Sequence, residues 1–173
     1  FKGNVDLMRD GYSKYVVYGG GAIYNDDDGR IGSITGTFTE NEGQTKKQFQ
    51  LDNDGGAILN TGKITSINAD FYRNSTVVNG GAIFNHVDGH IGSISGTFEG
   101  NIAEPEEYVQ YWHEEHAYKE RGGKGGAIYN YGKIDSITGK FINNEAQMFT
   151  GGAIQNHAEE GGSYGTIKYI HRS

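Results

Sequence analysis

Two short phrases alternate along this chain, and their recurrence leaves few folds open. The first is Gly-Gly-Ala-Ile-x-Asn, at Gly20–Asn25, Gly55–Asn60, Gly80–Asn85, Gly125–Asn130 and Gly151–Asn156, intact in every copy. The second is Ile-x-x-Ile-x-x-x-Phe-x-x-Asn, at Ile31–Asn41, Ile64–Asn74, Ile91–Asn101 and Ile134–Asn144, and it begins again at Ile167 and Ile170. A fixed motif with a minimum period of roughly 25 residues is the mark of a solenoid, one supersecondary unit per repeat. Helical repeats are excluded by the paired glycines and by the spacing of the apolar residues. In Ile34-Gly36-Phe38 the small and apolar positions alternate with Thr35 and Thr37, the period of a strand with one buried face. The segments at Ile67-Ala69-Phe71, Ile94-Gly96-Phe98 and Ile137-Gly139-Phe141 repeat it.

The expected fold class is all-β: a right-handed parallel β-helix (β-solenoid) of about five coils, each strand pairing with its equivalent one coil away. The hand follows from crossover chirality. Cutting at each Phe gives coils 1–37, 38–70, 71–97, 98–140 and 141–173. Ile23, Ile58, Ile83, Ile128 and Ile154 form one core ladder, and Phe1, Phe38, Phe71, Phe98 and Phe141 an aromatic stack. The small residue two places before each Phe is expected to make room for the ring. Glycine pairs permit positive φ and close backbone approach at corners. Asn25, Asn60, Asn85, Asn130 and Asn156, with the asparagines ending the second phrase, suit corners because Asn tolerates left-handed conformations and can stack into amide ladders.

These alternating GGAI and FxxN phrases resemble the repeats of the chlamydial polymorphic outer-membrane proteins and related bacterial autotransporter passengers. The FxxN copies are Phe1–Asn4, Phe38–Asn41, Phe71–Asn74, Phe98–Asn101 and Phe141–Asn144. The resemblance implies an exported protein of the bacterial cell surface or extracellular space, adhesive and in some cases self-associating.

Composition narrows the function. With 29 Gly, 35% hydrophobic residues and a net charge of −7 the chain would suit disorder were it not for the repeats. The acidic balance and the lack of a visible basic stripe argue against nucleic acid. The absence of cysteine removes thiol chemistry and disulfides. No run has the length of a membrane-spanning helix, so no transmembrane segment is expected in this chain.

Variation is confined to turns after the first phrase and to inserts after FxxN, long at 5–19, 42–54 and 102–124 and short at 75–79 and 145–150. In solenoids such inserts emerge from one edge and form the binding face. The longest holds the only Trp, Trp112, with Tyr108, Tyr111 and Tyr118, and a short helix is expected over 106–121. These aromatics either contact a partner or fold back over the coil beneath. A second candidate is the column after the core Ile, where Tyr24, Phe84 and Tyr129 (with Leu59 and Gln155) would form an outward aromatic stripe, open to a protein or glycan or covered by the inserts.

No metal site, cofactor or catalytic residue is expected. His113-Glu114-Glu115-His116 spaces its histidines three apart where a zincin helix needs four. Asp26-Asp27-Asp28-Gly29 lacks the spaced oxygens of a calcium loop. His86 and His157 follow the corner Asn two coils apart. The column Thr37, Asp70, Thr97, Lys140 and Ser173 stacks no carboxylate pair, whereas β-helical enzymes acting on acidic polysaccharides need several converging carboxylates. Such a polysaccharide-binding or polysaccharide-degrading role is the competing reading. The expected function is a non-enzymatic surface stalk or adhesin. Its partners would be further coils or other copies of itself at both open ends, end to end as a filament, and host or matrix protein or glycan.

Overall fold

The computed structural model describes residues 1–7, 20–44, 55–112, 115–147, 151–157 and 165–171. Each coil turns through three short parallel strands, and each strand pairs with its equivalent in the next coil. The GGAI phrase forms a five-stranded sheet from Ile23–Asn25, Ile58–Asn60, Ile83–Asn85, Ile128–Asn130 and Ile154–Asn156. The second phrase forms the main sheet, from Arg30–Thr39, Lys63–Tyr72, His90–Glu99, Lys133–Ile142 and Thr166–His171. All pairings in both sheets are parallel and in register, Ile on Ile and Phe on Phe, as a parallel β-solenoid requires. Among the described residues no helix is long and apolar enough to cross a membrane.

The expected ladders form the core. Ile58, Ile83 and Ile128 are fully buried and packed with Ile64, Ile67, Ile91, Ile94, Ile134 and Ile137 into one cluster. The five Phe rings stack face to face at 4.7–4.9 Å with interplanar angles of 5–10°. That spacing is the interstrand distance of a parallel sheet, about 4.8 Å, so register alone brings the rings into van der Waals contact.

Both asparagine columns form buried amide ladders. Along the GGAI corner each Nδ2 donates to the Oδ1 of the next coil's Asn, from Asn25 through Asn60, Asn85 and Asn130 to Asn156, at 2.7–2.8 Å. The FxxN ladder runs from Asn4 through Asn41, Asn74 and Asn101 to Asn144 at 2.8–2.9 Å. Here the Oδ1 also accepts the preceding Asn's backbone N–H. Buried amides are tolerated because the next Asn of the ladder and nearby backbone carbonyls take up their hydrogen bonds.

Three expectations need correction. A third parallel sheet, Val5–Leu7, Glu42–Gln44, Ser75–Thr76, Ile102–Ala103 and Glu145–Ala146, opens what read as variable inserts. Its paired column of Gly43, Thr76, Ala103 and Ala146 is small but not identical, so backbone pairing carries the repeat without a residue signature. The left-handed residue at the FxxN corner is the one before Asn: Gly3, Glu40, Arg73, Gly100 and Asn143 have φ of 61°, 54°, 49°, 64° and 49°. The asparagine itself is committed to the ladder. Finally, a methyl at Gly96 would strike the Ala69 carbonyl oxygen, and only at Gly139 would it also reach a ring, Phe141 at 3.6 Å. Gly36 and Gly96, at φ of 113° and 126°, answer a backbone demand.

The glycine pair behaves as expected. Gly80 has φ of 74°, and a methyl at Gly81 would strike the Gly126 carbonyl of the neighbouring coil.

Candidate recognition surface

The insert carrying Tyr108, Tyr111, Trp112 and Tyr118 is a β-hairpin, with Pro105–Trp112 antiparallel to Glu115–Gly122. This replaces the helix expected over 106–121. Aromatic and β-branched residues favour a pleated ribbon over a helix. The register sets Val109 opposite Tyr118, Tyr111 opposite His116, Tyr108 opposite Lys119 and Trp112 opposite Glu115. His113 and Glu114 lie outside the described residues.

The aromatic column after the core Ile is not an open stripe. Leu59, Phe84 and Tyr129 form a second buried cluster, with Tyr131 packed against it. Phe84 and Tyr129 are only 1% and 5% exposed, so neither is available to a ligand. Tyr24 alone of the three candidates is exposed, and its hydroxyl donates to Asp26 Oδ1 at 3.0 Å. The coil-to-coil pairing that stacks the Ile ladder inward also stacks this column on the other face of a three-residue strand, where the rings bury one another. Tyr129 meets Phe84 edge-on at 5.1 Å, and His157 packs on Tyr129 and Tyr131. His86 lies edge-on to Phe84 with its Nδ1 3.6 Å from Asp88, and burial pushes its pKa below the usual histidine value against the pull of Asp88 and Asp27.

Asp26 Oδ1 is also taken up by the Asp27 N–H, and the Asp26 carbonyl accepts the Gly29 N–H, a self-contained acidic turn. Asp70 accepts the Thr97 N–H at 2.7 Å. Among the described residues no three His, Asp or Glu side chains are gathered around a common cation position.

What the sequence reading missed is a column of basic side chains. Arg30, Lys63, His90 and Lys133 are each the first residue of a main-sheet strand and pair directly, coil on coil. Arg30, Lys63 and Lys133 are exposed. Two places along, Asp135 takes the Lys168 ammonium at 2.9 Å and the Lys133 ammonium at 3.5 Å on Oδ1, and His90 Nε2 at 2.8 Å on Oδ2. Lys168 first, then His90, holds that carboxyl well below the ordinary carboxylate range, and Asp135 in turn raises the pKa of Lys168. The available signal was the position immediately before the first Ile of each second phrase. It is basic or His four times running, but the copies are too far apart in sequence to read as a stripe.

No curated protein and no solved structure matches the chain. The matching family model is the Chlamydia polymorphic membrane protein repeat, over residues 95–131. That span begins in the strand His90–Glu99, includes Phe98–Asn101, crosses the hairpin and ends just after the GGAI phrase at Gly125–Asn130. Residues 95–131 of the solenoid thus match the Chlamydia polymorphic membrane protein repeat, a family associated with the outer membrane and cell surface.

Proposed function

We propose that this chain is a non-enzymatic, surface-displayed β-solenoid module that serves as a rigid stalk and adhesive surface, with recognition placed on its inserts and exposed edges. The observation that supports this most directly is that each repeated residue is accounted for by the ladders. Ile and Phe fill the core, Asn satisfies the corners and Gly permits close coil stacking. The distinctive chemistry lies outside those ladders. The partners proposed are host or matrix protein or glycan at the surface, and further coils of the same kind, or another copy, stacked along the solenoid axis.

A polysaccharide-degrading role is the alternative. Against it stands the state of Asp135, the carboxylate with the most cationic neighbours among the described residues. Lys168, His90 and Lys133 hold it ionised, which suits charge balance and not proton donation near neutral pH. The test is to coat the purified chain on beads and incubate them with host cells and, separately, with size-defined acidic polysaccharides. Retained cells and polysaccharide recovered at full length are expected. Shortened chains or unsaturated ends would overturn the non-enzymatic reading, and beads that retain no cells would remove the adhesive one.

A further inference from the structure

Half of the basic column, Arg30 and Lys63, makes no ion pair among the described residues, while His90 and Lys133 meet Asp135. Like charges set directly opposite one another across a ladder destabilise it, yet Arg30, Lys63, His90 and Lys133 stack in register at the parallel repeat of about 4.8 Å. Among the described residues, neither Arg30 nor Lys63 has a carboxylate within 4.0 Å. The other end of the column shares a single acid, Asp135, among Lys133, His90 and Lys168. The nearest turn acid on that side, Asp88, is directed at His86 instead. A protein of net charge −7 thus presents Arg30 and Lys63 in register without a paired carboxylate, continued by His90 and Lys133, which share Asp135.

Three residues along each strand, Ser33, Ser66, Ser93 and Ser136 form a second column parallel to the first. Between the two, Gly32 and Gly92 keep the surface low in alternate coils, with Thr65 and the ion-paired Asp135 at that position in the others. The Ser66 and Ser136 hydroxyls make only long contacts of 3.5 Å to backbone carbonyls, so their hydrogen-bonding capacity is largely unspent. Cations in a row beside hydroxyls in a row is the complement of an extended chain that carries anionic groups and sugar hydroxyls at a short regular advance.

We propose that Arg30, Lys63, His90 and Lys133, with the flanking serines, form a binding track for a linear polyanionic polysaccharide lying along the solenoid axis. The proposal rests on the surface-module reading and names its ligand class. A nucleic acid is disfavoured because the described residues beside the track offer no row of aromatic rings on which bases could stack, Tyr169 being stacked on His171 at one end.

The experiment uses immobilised heparin as a sulfated probe, with hyaluronan as a carboxylated competitor and duplex DNA as a polyphosphate competitor. The intact chain is expected to be retained at low salt and released as salt screens the contacts. Arg30→Ala and Lys63→Ala should each weaken binding roughly two- to fivefold, the range of single exposed ion pairs, and Lys63→Glu should weaken it further. Lys2→Ala and Lys140→Ala, exposed lysines off the track, should bind as the parent does. Equal thermal melting of all variants confirms folding. Competition by hyaluronan extends the track to carboxylated glycans, and its absence restricts it to sulfated ones; both support the proposal. No retention at low salt, equal loss in the off-track variants, or displacement by DNA as effective as by free heparin would overturn it. Cell retention on beads is read separately, so a failed track with retained cells leaves the surface-module reading standing.

Discussion

Asn74 shows how one residue can hold three coils together. Its Oδ1 accepts from both the amide and the backbone N–H of Asn41, and its Nδ2 donates to Asn101 and to the Phe38 carbonyl. Asn74→Ala strands two buried donors of Asn41, and each orphan costs about 1–3 kcal/mol. A loss of about 3 kcal/mol is expected by denaturant melting; a loss below about 1 kcal/mol would mean that the ladder is dispensable. Gly100 isolates backbone strain instead. Its φ is 64°, and an added methyl would meet only the Arg73 side chain at 3.5 Å, an ordinary contact. Gly100→Ala should therefore cost about 1–2 kcal/mol from the left-handed conformation alone. The same position holds Glu40 and Arg73 in neighbouring coils, and there the two side chains pair at 2.9 Å. His86 supplies the pH dependence. Because burial lowers its folded pKa below the unfolded value, the unfolded chain binds the proton first as pH falls. Stability is then complete above about pH 6.5 and declines as pH drops toward the folded pKa. The melting temperature should fall between pH 7.5 and pH 5, and His86→Phe should show a smaller fall across that range.

At the scale of elements, the hairpin and the coil that carries it are separable. The coil containing Ser75–Thr76 returns to its glycine pair through a short connection, whereas the next coil inserts Pro105–Trp112 and Glu115–Gly122 before doing the same. Both coils present the same paired strands, Ile83–Asn85 against Ile128–Asn130 and His90–Glu99 against Lys133–Ile142. Replacing 106–121 with a short Gly-Ser link should therefore leave the coil stack folded, with a melting temperature within a few degrees of the parent, since long excursions add little closure entropy. A collapse of the melt on excision would show that the hairpin covers part of the core.

The whole molecule is quasi-one-dimensional, each coil touching only its neighbours. Protection should accordingly depend on position along the axis. Central strands Lys63–Tyr72 and His90–Glu99 are paired on both sides, while Thr166–His171 pairs on one side only and leaves Tyr169 and Ile170 62% and 63% exposed. Amide exchange is expected to be slowest in the two central strands and fastest in Thr166–His171. Uniform protection along the axis would show that the chain unfolds as a single unit or is paired at its edges in solution.

Two of the three sheets and all four ladders were legible in the sequence, because a solenoid repeats side chains wherever the core or a corner demands one chemistry. The inward Ile and Phe and the corner Asn see the same surroundings in every coil, so their identity recurs. The third sheet left no such trace: neither of its residue columns repeats one side chain, and backbone hydrogen bonds do the pairing. The hairpin was misread because its aromatic spacing suits a helix face until antiparallel pairing decides otherwise. The candidate surfaces depended most on the folded chain. FxxN ladder partners lie 33, 27 and 43 residues apart, offsets set by inserts of unequal length. Only when the coils close over those inserts do Arg30, Lys63, His90 and Lys133 become a single column and Phe84 and Tyr129 become buried. The sequence by itself determined which residues repeat and hence the solenoid. Tertiary structure alone decided which non-repeating residues meet, because stacking converts separations of dozens of residues into one interstrand spacing.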